Sequence, residues 1–439
     1  MAESMTPELA RRAAPARITR GQRLHLNAAV AAGNLAAFAS RISGRGSGAS
    51  IKGQLMTKLD KDALAKLLQG RRIAAVSGTN GKTTTTHLLA AAVRAGLGAD
   101  TQRLVTNADG ANLHYGIASA LSTAPYADLA VLETDERVVA DVIRLGKPEV
   151  LVLLNFSRDQ LDRHHEIKSL ARSWRTALEA AGADGPVVIA NSQEPMIVWA
   201  AQTAKRVVWV ETRSVWAQDS ALCPACGSEL RGHDAPGEQT AQRWHCTGCD
   251  LAEPEPAWSV SGDTIIDPEG TVWEPKLQVP GAFNVSNAAL AMAAAAELGV
   301  PAGTAIRGMR KVTAPAGRFA TTTIGDTTVR LLLAKNPAGW AEALPIINTD
   351  TVVLAIDSVA ADGRDVSWLW DVDFEQLAGK NVIAAGPRAL DLAVRLSYAE
   401  VDFTVKQDLA EALAGHPNPV DVLATYTPFQ KLRKMGGLA

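Results

Sequence analysis

Apolar residues recur along the chain in two rhythms, and the changes between them divide it. After a polar, arginine-containing tail, an Ala/Leu-rich stretch over residues 24–42 predicts a helix. A run rich in glycine and serine, 44–53, reads as a linker. Short uninterrupted apolar runs at 73–76, 129–132, 150–154 and 187–190 then alternate with helix-length segments. Runs apolar at every position suit strands buried on both faces, and their alternation with helices predicts a parallel, doubly wound sheet. Beyond an insert at about 215–257, residues 258–266 are β-like, and Gly281 precedes Asn284-Val285-Ser286-Asn287 and a long alanine-rich helix. Ala314-Pro315-Ala316-Gly317 marks a boundary before a third α/β unit with strands at 328–333, 352–356 and 381–384. The expected organisation is an N-terminal tail and helical segment (1–55), a central domain carrying the insert (56–315) and a C-terminal α/β domain (316–439). No internal repeat interrupts this order.

The bulk properties narrow the class. The chain of 439 residues is 47% hydrophobic and 21% charged, a globular balance too long for one ordinary core. A formal net charge of −2 offers no global field for a polynucleotide, so nucleic acid is disfavoured as a partner. No apolar stretch reaches the length of a bilayer span, and the N-terminus lacks a signal-peptide core. These features predict a cytoplasmic enzyme.

All four cysteines stand in two pairs, Cys223-Pro224-Ala225-Cys226 and Cys246-Thr247-Gly248-Cys249, with 19 residues between Cys226 and Cys246. That interval fits a structural zinc site, and Gly227 and Gly248 permit the tight turns that bring sulfurs two apart onto one tetrahedral ion. Disulfides or free thiols are the alternatives.

Ser77-Gly78-Thr79-Asn80-Gly81-Lys82-Thr83-Thr84 follows the first apolar strand directly. A glycine-rich turn between a buried strand and a helix can aim backbone N–H groups and the positive helix end at a triphosphate, with Lys82 on the β/γ-phosphates and Thr83 on Mg²⁺. The longer phosphate-loop pattern requires a glycine where Val76 stands, so a shortened form remains. At the end of the next predicted strand, Leu132-Glu133-Thr134-Asp135-Glu136-Arg137 supplies carboxylates beside that loop, which makes Glu133 a candidate Mg²⁺ ligand; Asp135 and Glu136 could equally begin a solvated helix. Asn155-Phe156-Ser157-Arg158-Asp159-Gln160-Leu161-Asp162-Arg163 follows a third strand at the same edge, where Asp159 and Asp162 are site candidates or helix caps.

Taken in order, Gly78–Thr84, Glu133, Asp159-x-x-Asp162-Arg163, Asn284-x-x-Asn287, Gly317-Arg318 and Asn336-Pro337 resemble the Mur ligases. The run from Arg158 to Arg163, the four-cysteine ribbon, Ala334-Lys335-Asn336-Pro337-Ala338-Gly339 and Asp362-Gly363-Arg364-Asp365-Val366-Ser367-Trp368 narrow the resemblance to the MurT-type synthetase subunits of lipid II isoglutaminyl synthases. It covers nearly everything from residue 20 onward. The fold it implies is α/β: a Mur ligase-like central domain with a parallel sheet and phosphate loop, an inserted zinc ribbon, and a C-terminal α/β domain. ATP and Mg²⁺ would be held by Gly78, Thr79, Asn80, Gly81, Lys82, Thr83, Thr84 and Glu133, with adenine on Asn284 and Asn287 and the ribose-phosphate end on Arg318. Zinc would sit on Cys223, Cys226, Cys246 and Cys249.

The chain departs from the amino-acid-adding Mur ligases at Gln160, where they carry histidine, and near Arg175, where they carry a carbamoylated lysine. A second Mg²⁺ thereby loses its usual ligands. Lys335 also replaces a histidine usual in their C-terminal domain.

The activity the resemblance implies is ATP-dependent amidation of the α-carboxyl of D-glutamate in the stem peptide of lipid II, giving D-isoglutamine through an acyl phosphate attacked by ammonia. With every cysteine in a metal-like pair, the ammonia would come from a GatD-like class-I glutaminase partner, whose Cys-His pair Asp365 would complete across the interface. Asp362 competes for that role. Alternatives are a ligase that adds an amino acid, of the Mur or folylpolyglutamate type, and a non-catalytic nucleotide-binding scaffold. The lipid-linked substrate places the enzyme at the inner face of the cell membrane, where Arg11, Arg12, Arg17, Arg20 and Arg23 could meet anionic lipid; a disordered tail beside a packing helix is the plainer expectation.

Overall fold

The computed structural model describes residues 5–14, 18–42, 49–107, 110–157, 167–212, 221–232, 243–313, 319–359 and 362–438. The first helices are α1 (Pro7–Ala10), α2 (Arg20–Ile42), α3 (Ala49–Leu59) and α4 (Ala63–Leu68). The central sheet then builds up through β1 (Arg72–Ser77), α5 (Lys82–Leu97), β2 (Leu104–Thr106), α6 (His114–Leu121), β3 (Leu129–Glu133), α7 (Val139–Gly146), β4 (Val150–Leu153), α8 (Ile167–Ala181), β5 (Val187–Asn191), α9 (Pro195–Ala201) and β6 (Arg206–Val210). Its strands run in the order β2-β3-β1-β4-β5-β6, all parallel. β1 is buried at all six positions, as its unbroken apolar run requires of a central strand covered on both faces. Helices α5, α10 and α11 pack on one side, and Leu26, Ala29 and Met56 of the N-terminal helices join the core on the other.

The insert contributes the short hairpin β7 (Leu230–Arg231) and β8 (His245–Cys246). A three-stranded sheet of β9 (Ser259–Ser261), β10 (Thr264–Ile266) and β11 (Val272–Trp273) leads into α10 (Ala282–Glu297) and α11 (Ala302–Met309). The last unit comprises β12 (Phe319–Ile324), β13 (Thr327–Leu333), α12 (Pro337–Ala343), β14 (Thr351–Ala355), β15 (Asn381–Ala385), α13 (Ala389–Tyr398), β16 (Phe403–Lys406), α14 (Leu409–Leu413), β17 (Val420–Ala424) and α15 (Tyr426–Met435). Its sheet order is β12-β13-β17-β14-β15-β16, parallel except for the β12–β13 hairpin.

Two expectations about the N-terminal region change. The run 44–53 is not a linker throughout, because α3 begins at Ala49. Gly53 lies inside that helix, where an added Cβ would fall 1.9 Å from the Tyr115 carbonyl oxygen, so the glycine permits close helix packing. Nor are residues 8–12 of the arginine-bearing tail free, while Arg17 lies outside the described residues. Leu9 is buried, and Arg11 Nη2 lies 2.7 Å from Glu149 Oε1, which also receives Arg72 Nη2 at 2.9 Å. Arg12 shares Asp128 with Arg103. Burial pushes the Asp128 carboxyl up, but the Arg103 hydrogen bonds and the two guanidinium charges outweigh it and hold the group below its ordinary range. These pairs tie residues 8–12 to the ends of β1, β3 and β4 remote from the phosphate loop.

Candidate functional site

β1 delivers the chain at the carboxyl end of the sheet into two glycine-dependent bends. Gly78 has φ +140°, and a Cβ there would lie 2.8 Å from Leu154 Cβ; Gly81 has φ +84°, and a Cβ there would lie 2.5 Å from Asn287 Oδ1. Both the backbone and the space therefore demand glycine. The loop is sewn to the chain after β4: Thr79 N donates to Asn155 O at 2.9 Å, Asn80 N to Asn155 Oδ1 at 2.9 Å, and Asn80 Nδ2 to Ser157 Oγ at 3.0 Å. Asn155 and Ser157 thus support the loop; the polar run after an apolar strand was their only signal in the sequence.

Immediately after Gly81, α5 starts at Lys82, with Lys82, Thr83 and Thr84 buried in its first turn. Lys82 Nζ folds back to donate to Gly78 O at 2.5 Å and Thr79 O at 3.2 Å, and pairs with Glu136 Oε2 at 3.2 Å. The ammonium is therefore held over the loop it would serve. Glu133 ends β3 beside it, 1% exposed. Its backbone is clamped by Asn107, which accepts from Glu133 N and donates to Glu133 O, both at 2.8 Å. Asn112 Nδ2 donates to Glu133 Oε1 at 2.9 Å, while Oε2 is buried with no hydrogen bond. A bare, buried carboxylate oxygen next to a phosphate-type loop is the ligand a hard divalent cation takes. Asp135 is instead occupied: burial raises its carboxyl pKa, but Arg137, at 2.7 Å, and the charge of Lys82 bring it below the ordinary value.

From the other side, α10 brings Asn284 and Asn287 under the loop, both buried. Asn287 Nδ2 donates to Asn284 Oδ1 at 3.1 Å and Asn284 Nδ2 to Pro280 O at 2.5 Å. The helix N-cap is Gly281, so Asn284 is not a capping residue. The C-terminal unit also reaches the site. Asn336 Nδ2 donates to Asn80 Oδ1 at 3.2 Å, while Asn336 Oδ1 caps α12 by accepting from Gly339 N at 2.9 Å. Nothing local in the sequence gave Asn336 this position.

Arg318, Asp159, Gln160 and Asp162 lie outside the described residues. Arg175 faces away from such chemistry, donating to Trp199 O at 2.5 Å with its guanidinium 5.4 Å from the Trp199 ring centroid. The two acids of the 362–368 loop separate cleanly. Asp362 is buried, and its Oδ1 accepts from Thr427 N at 2.7 Å, at the start of α15. Asp365 is exposed and accepts from Ser367 N at 2.8 Å, closing a turn ahead of the 3₁₀ turn Ser367–Asp371.

In the insert, Cys223, Cys226, Cys246 and Cys249 converge, all four sulfurs within 4.8 Å of one another. The Cys223–Cys249 and Cys226–Cys246 separations are 3.6 and 3.4 Å. Zn–S bonds of about 2.3 Å in a tetrahedron place sulfurs about 3.8 Å apart, so the cluster fits one zinc ion with no open coordination position. The ribbon is anchored by Trp244, 1% exposed, whose Nε1 donates to Ser192 O at 3.1 Å.

Residues 76–295 match the Mur ligase middle domain family, and residues 333–429 match the MurT ligase C-terminal family. The subunit MurT of lipid II isoglutaminyl synthase (glutamine-hydrolyzing) from Staphylococcus aureus (strain N315) is 30% identical over 406 residues, covering 87% of this chain and 90% of that protein. Its namesake from Streptococcus pneumoniae (strain ATCC BAA-255 / R6) is 29% identical, covering 90% and 93%. Among solved structures, a pseudomurein peptide ligase type C from Methanothermus fervidus superposes with a TM-score of 0.64 at 18% identity, over 87% of this chain and 83% of that one, a likeness of fold.

Proposed function

The chain belongs to the MurT family of Mur ligases, and from that membership we propose that it is the ATP-consuming subunit of a lipid II isoglutaminyl synthase, amidating the α-carboxyl of D-glutamate in the stem peptide. Bound ATP supplies the γ-phosphoryl group that turns the carboxylate into an acyl phosphate, from which ammonia displaces phosphate. The chain's own part is positioning and charge neutralisation. The backbone N–H groups at Gly81 and at the start of α5 receive the phosphates, those of Thr79 and Asn80 being engaged by Asn155, and Lys82 exchanges the Gly78 and Thr79 carbonyls for phosphate oxygens. Thr83 and the bare oxygen of Glu133 hold Mg²⁺. Asn284 and Asn287 receive the adenine edge, each amide offering a donor and an acceptor, and Arg318 the ribose-phosphate end.

The observation that carries the division of labour is the convergence of every cysteine of this chain on one metal-type cluster. A thiol glutaminase needs a cysteine nucleophile that these four committed residues do not offer, which supports a source of ammonia on a second subunit. Asp365 is the acid we assign to that partner's Cys-His pair: it is exposed where a neighbouring chain can reach it, whereas Asp362 is committed to α15. The test is to copurify the chain with its glutaminase and follow lipid II by mass spectrometry for a loss of about one mass unit. Asp365→Asn is expected to abolish amidation driven by glutamine and leave amidation driven by concentrated ammonium substantially intact. Equal loss with both nitrogen sources would place Asp365 in the synthetase site or the fold, and addition of an amino acid instead of ammonia would refute the amidase reading.

A further inference from the structure

Helix α2 is apolar on two opposite faces, and the described residues cover only one of them. Leu26, Ala29, Gly33, Ala37 and Ser40 are buried, with a Cβ at Gly33 falling 2.8 Å from the Lys52 carbonyl oxygen of α3. At 100° per residue, Leu24, Ala28, Ala31, Leu35, Phe38 and Ile42 fall within an arc of about 80° on the other side. All six are exposed, Leu24, Leu35, Phe38 and Ile42 by 71, 71, 58 and 73%. At 1.5 Å per residue the stripe is about 27 Å long. A continuous apolar stripe of that length is not a scattering of single surface residues and marks an interaction face.

Charge identifies what covers it. No Asp or Glu stands between Glu8 and Asp60, in a protein whose overall charge is slightly negative. Asp60 itself is 2% exposed and paired with Lys66 at 2.7 Å, so no exposed acid of this segment offsets Arg20 and Arg23 at the start of the helix. Arg11 and Arg12 do not contribute, being tied to Glu149 and Asp128. A helix with an apolar face, no acidic side chain and arginines near both ends has the chemistry of an interfacial helix that lies in the plane of an anionic lipid surface. We infer that the outward stripe of α2 seats the enzyme on an anionic phospholipid bilayer, with Leu24, Leu35, Phe38 and Ile42 in the acyl–headgroup boundary and Arg20 and Arg23 on lipid phosphates. This inference rests on the lipid-linked substrate proposed above, since a carboxyl tethered to a lipid is met at the bilayer. Because α2 is already folded and packed on α3, docking requires no ordering of the helix.

The experiment uses the full chain with its glutaminase partner and sedimentation with vesicles of phosphatidylcholine, with and without phosphatidylglycerol. The wild type is expected to sediment with the anionic vesicles. The pair Leu35→Glu and Phe38→Glu is expected to reduce binding by about tenfold or more, the scale for keeping one large apolar side chain in water. Arg20→Gln with Arg23→Gln is expected to remove the preference for phosphatidylglycerol. Amidation of a water-soluble stem-peptide substrate by the Glu variants is expected to stay at the wild-type level while amidation of vesicle-embedded lipid II falls. Unchanged sedimentation would overturn the inference. So would loss of glutaminase copurification or of self-association by the Glu variants, which would make the stripe a protein interface, or a parallel loss of soluble-substrate amidation. Should the wild type amidate neither substrate yet bind anionic vesicles through the stripe, the functional reading fails and the membrane face stands.

Discussion

Glu133→Gln should make the protein more stable without nucleotide and far less able to gain stability from it. Glu133 is 1% exposed, with Oε1 on Asn112 and Oε2 buried and bare. Leaving such a group unsatisfied costs about 1–3 kcal/mol, more when charged. Glutamine has the same shape, keeps the Asn112 bond through its amide oxygen and replaces the bare charged end by a neutral one, so a gain of about 1–2 kcal/mol is expected. For a unit of this size that corresponds to a rise in midpoint of roughly 2–6 °C. At a nucleotide concentration about a hundredfold above Kd, the wild type gains about 2.7 kcal/mol by mass action. A neutral amide is a poor ligand for Mg²⁺, so the variant should gain far less. The two proteins should therefore exchange rank in thermal scans with and without Mg–ATP, and chelation by EDTA should restore the first order. A variant less stable than wild type without nucleotide, or one that keeps the full Mg–ATP shift, would refute the assignment of Oε2 as a metal ligand.

Cys246→Ser should reduce bound zinc from about one per chain toward none and, by loosening the seat of Trp244, lower stability by about 3 kcal/mol, the scale of losing a buried tryptophan, while folded molecules retain ammonium-fed amidation; metal analysis with urea unfolding checks both. Glu342 on α12 is expected to give stability a slope with pH, because burial pushes its carboxyl from an ordinary 4.5 up to about 8. The folded state keeps a proton there that the unfolded chain releases, so this contribution is complete below about pH 4.5 and is lost as pH rises to about 8. Urea titrations across that window should show Glu342→Gln with a flatter profile.

What could be read in the sequence was whatever a single segment determines. Strands buried on both faces announce themselves because every position is apolar, and β1, β3, β4 and β5 lie where those runs stand. β2 is only three residues long, too short for a period. β12 is a hairpin edge strand whose Thr-Thr-Thr centre lacks apolar residues. β17 is entirely buried yet broken in sequence by Asp421, whose Oδ2 accepts from the backbone N–H groups of Asn348 and Thr349 and from Thr349 Oγ1, partners more than seventy residues away. Gly53 misled in the opposite direction, since flexibility and close packing both select glycine and only the approach of Tyr115 distinguishes them.

The same limit applies inside the site. Gly78, Gly81 and Lys82 are defined by local bends and one helix start, and sequence sufficed to bring them forward. Asn80 is different. Its N–H and Nδ2 are bonded to Asn155 and Ser157 after β4, while its Oδ1 accepts from Asn336, 256 residues later. Asn336 is at once the cap of α12, so its side chain fixes the first turn of a helix in the C-terminal unit and touches the phosphate loop of the central sheet. An amide suits this double duty because it presents an acceptor to Gly339 N and a donor to Asn80 from one planar group. On the proposed function, in which this loop receives ATP, a change in the relation of the two sheets would be felt there, and nucleotide would bear in turn on the C-terminal unit that carries Asp365. The two proposed half-reactions, carboxylate activation and the supply of ammonia, would in this way be linked through the contact of Asn336 with Asn80.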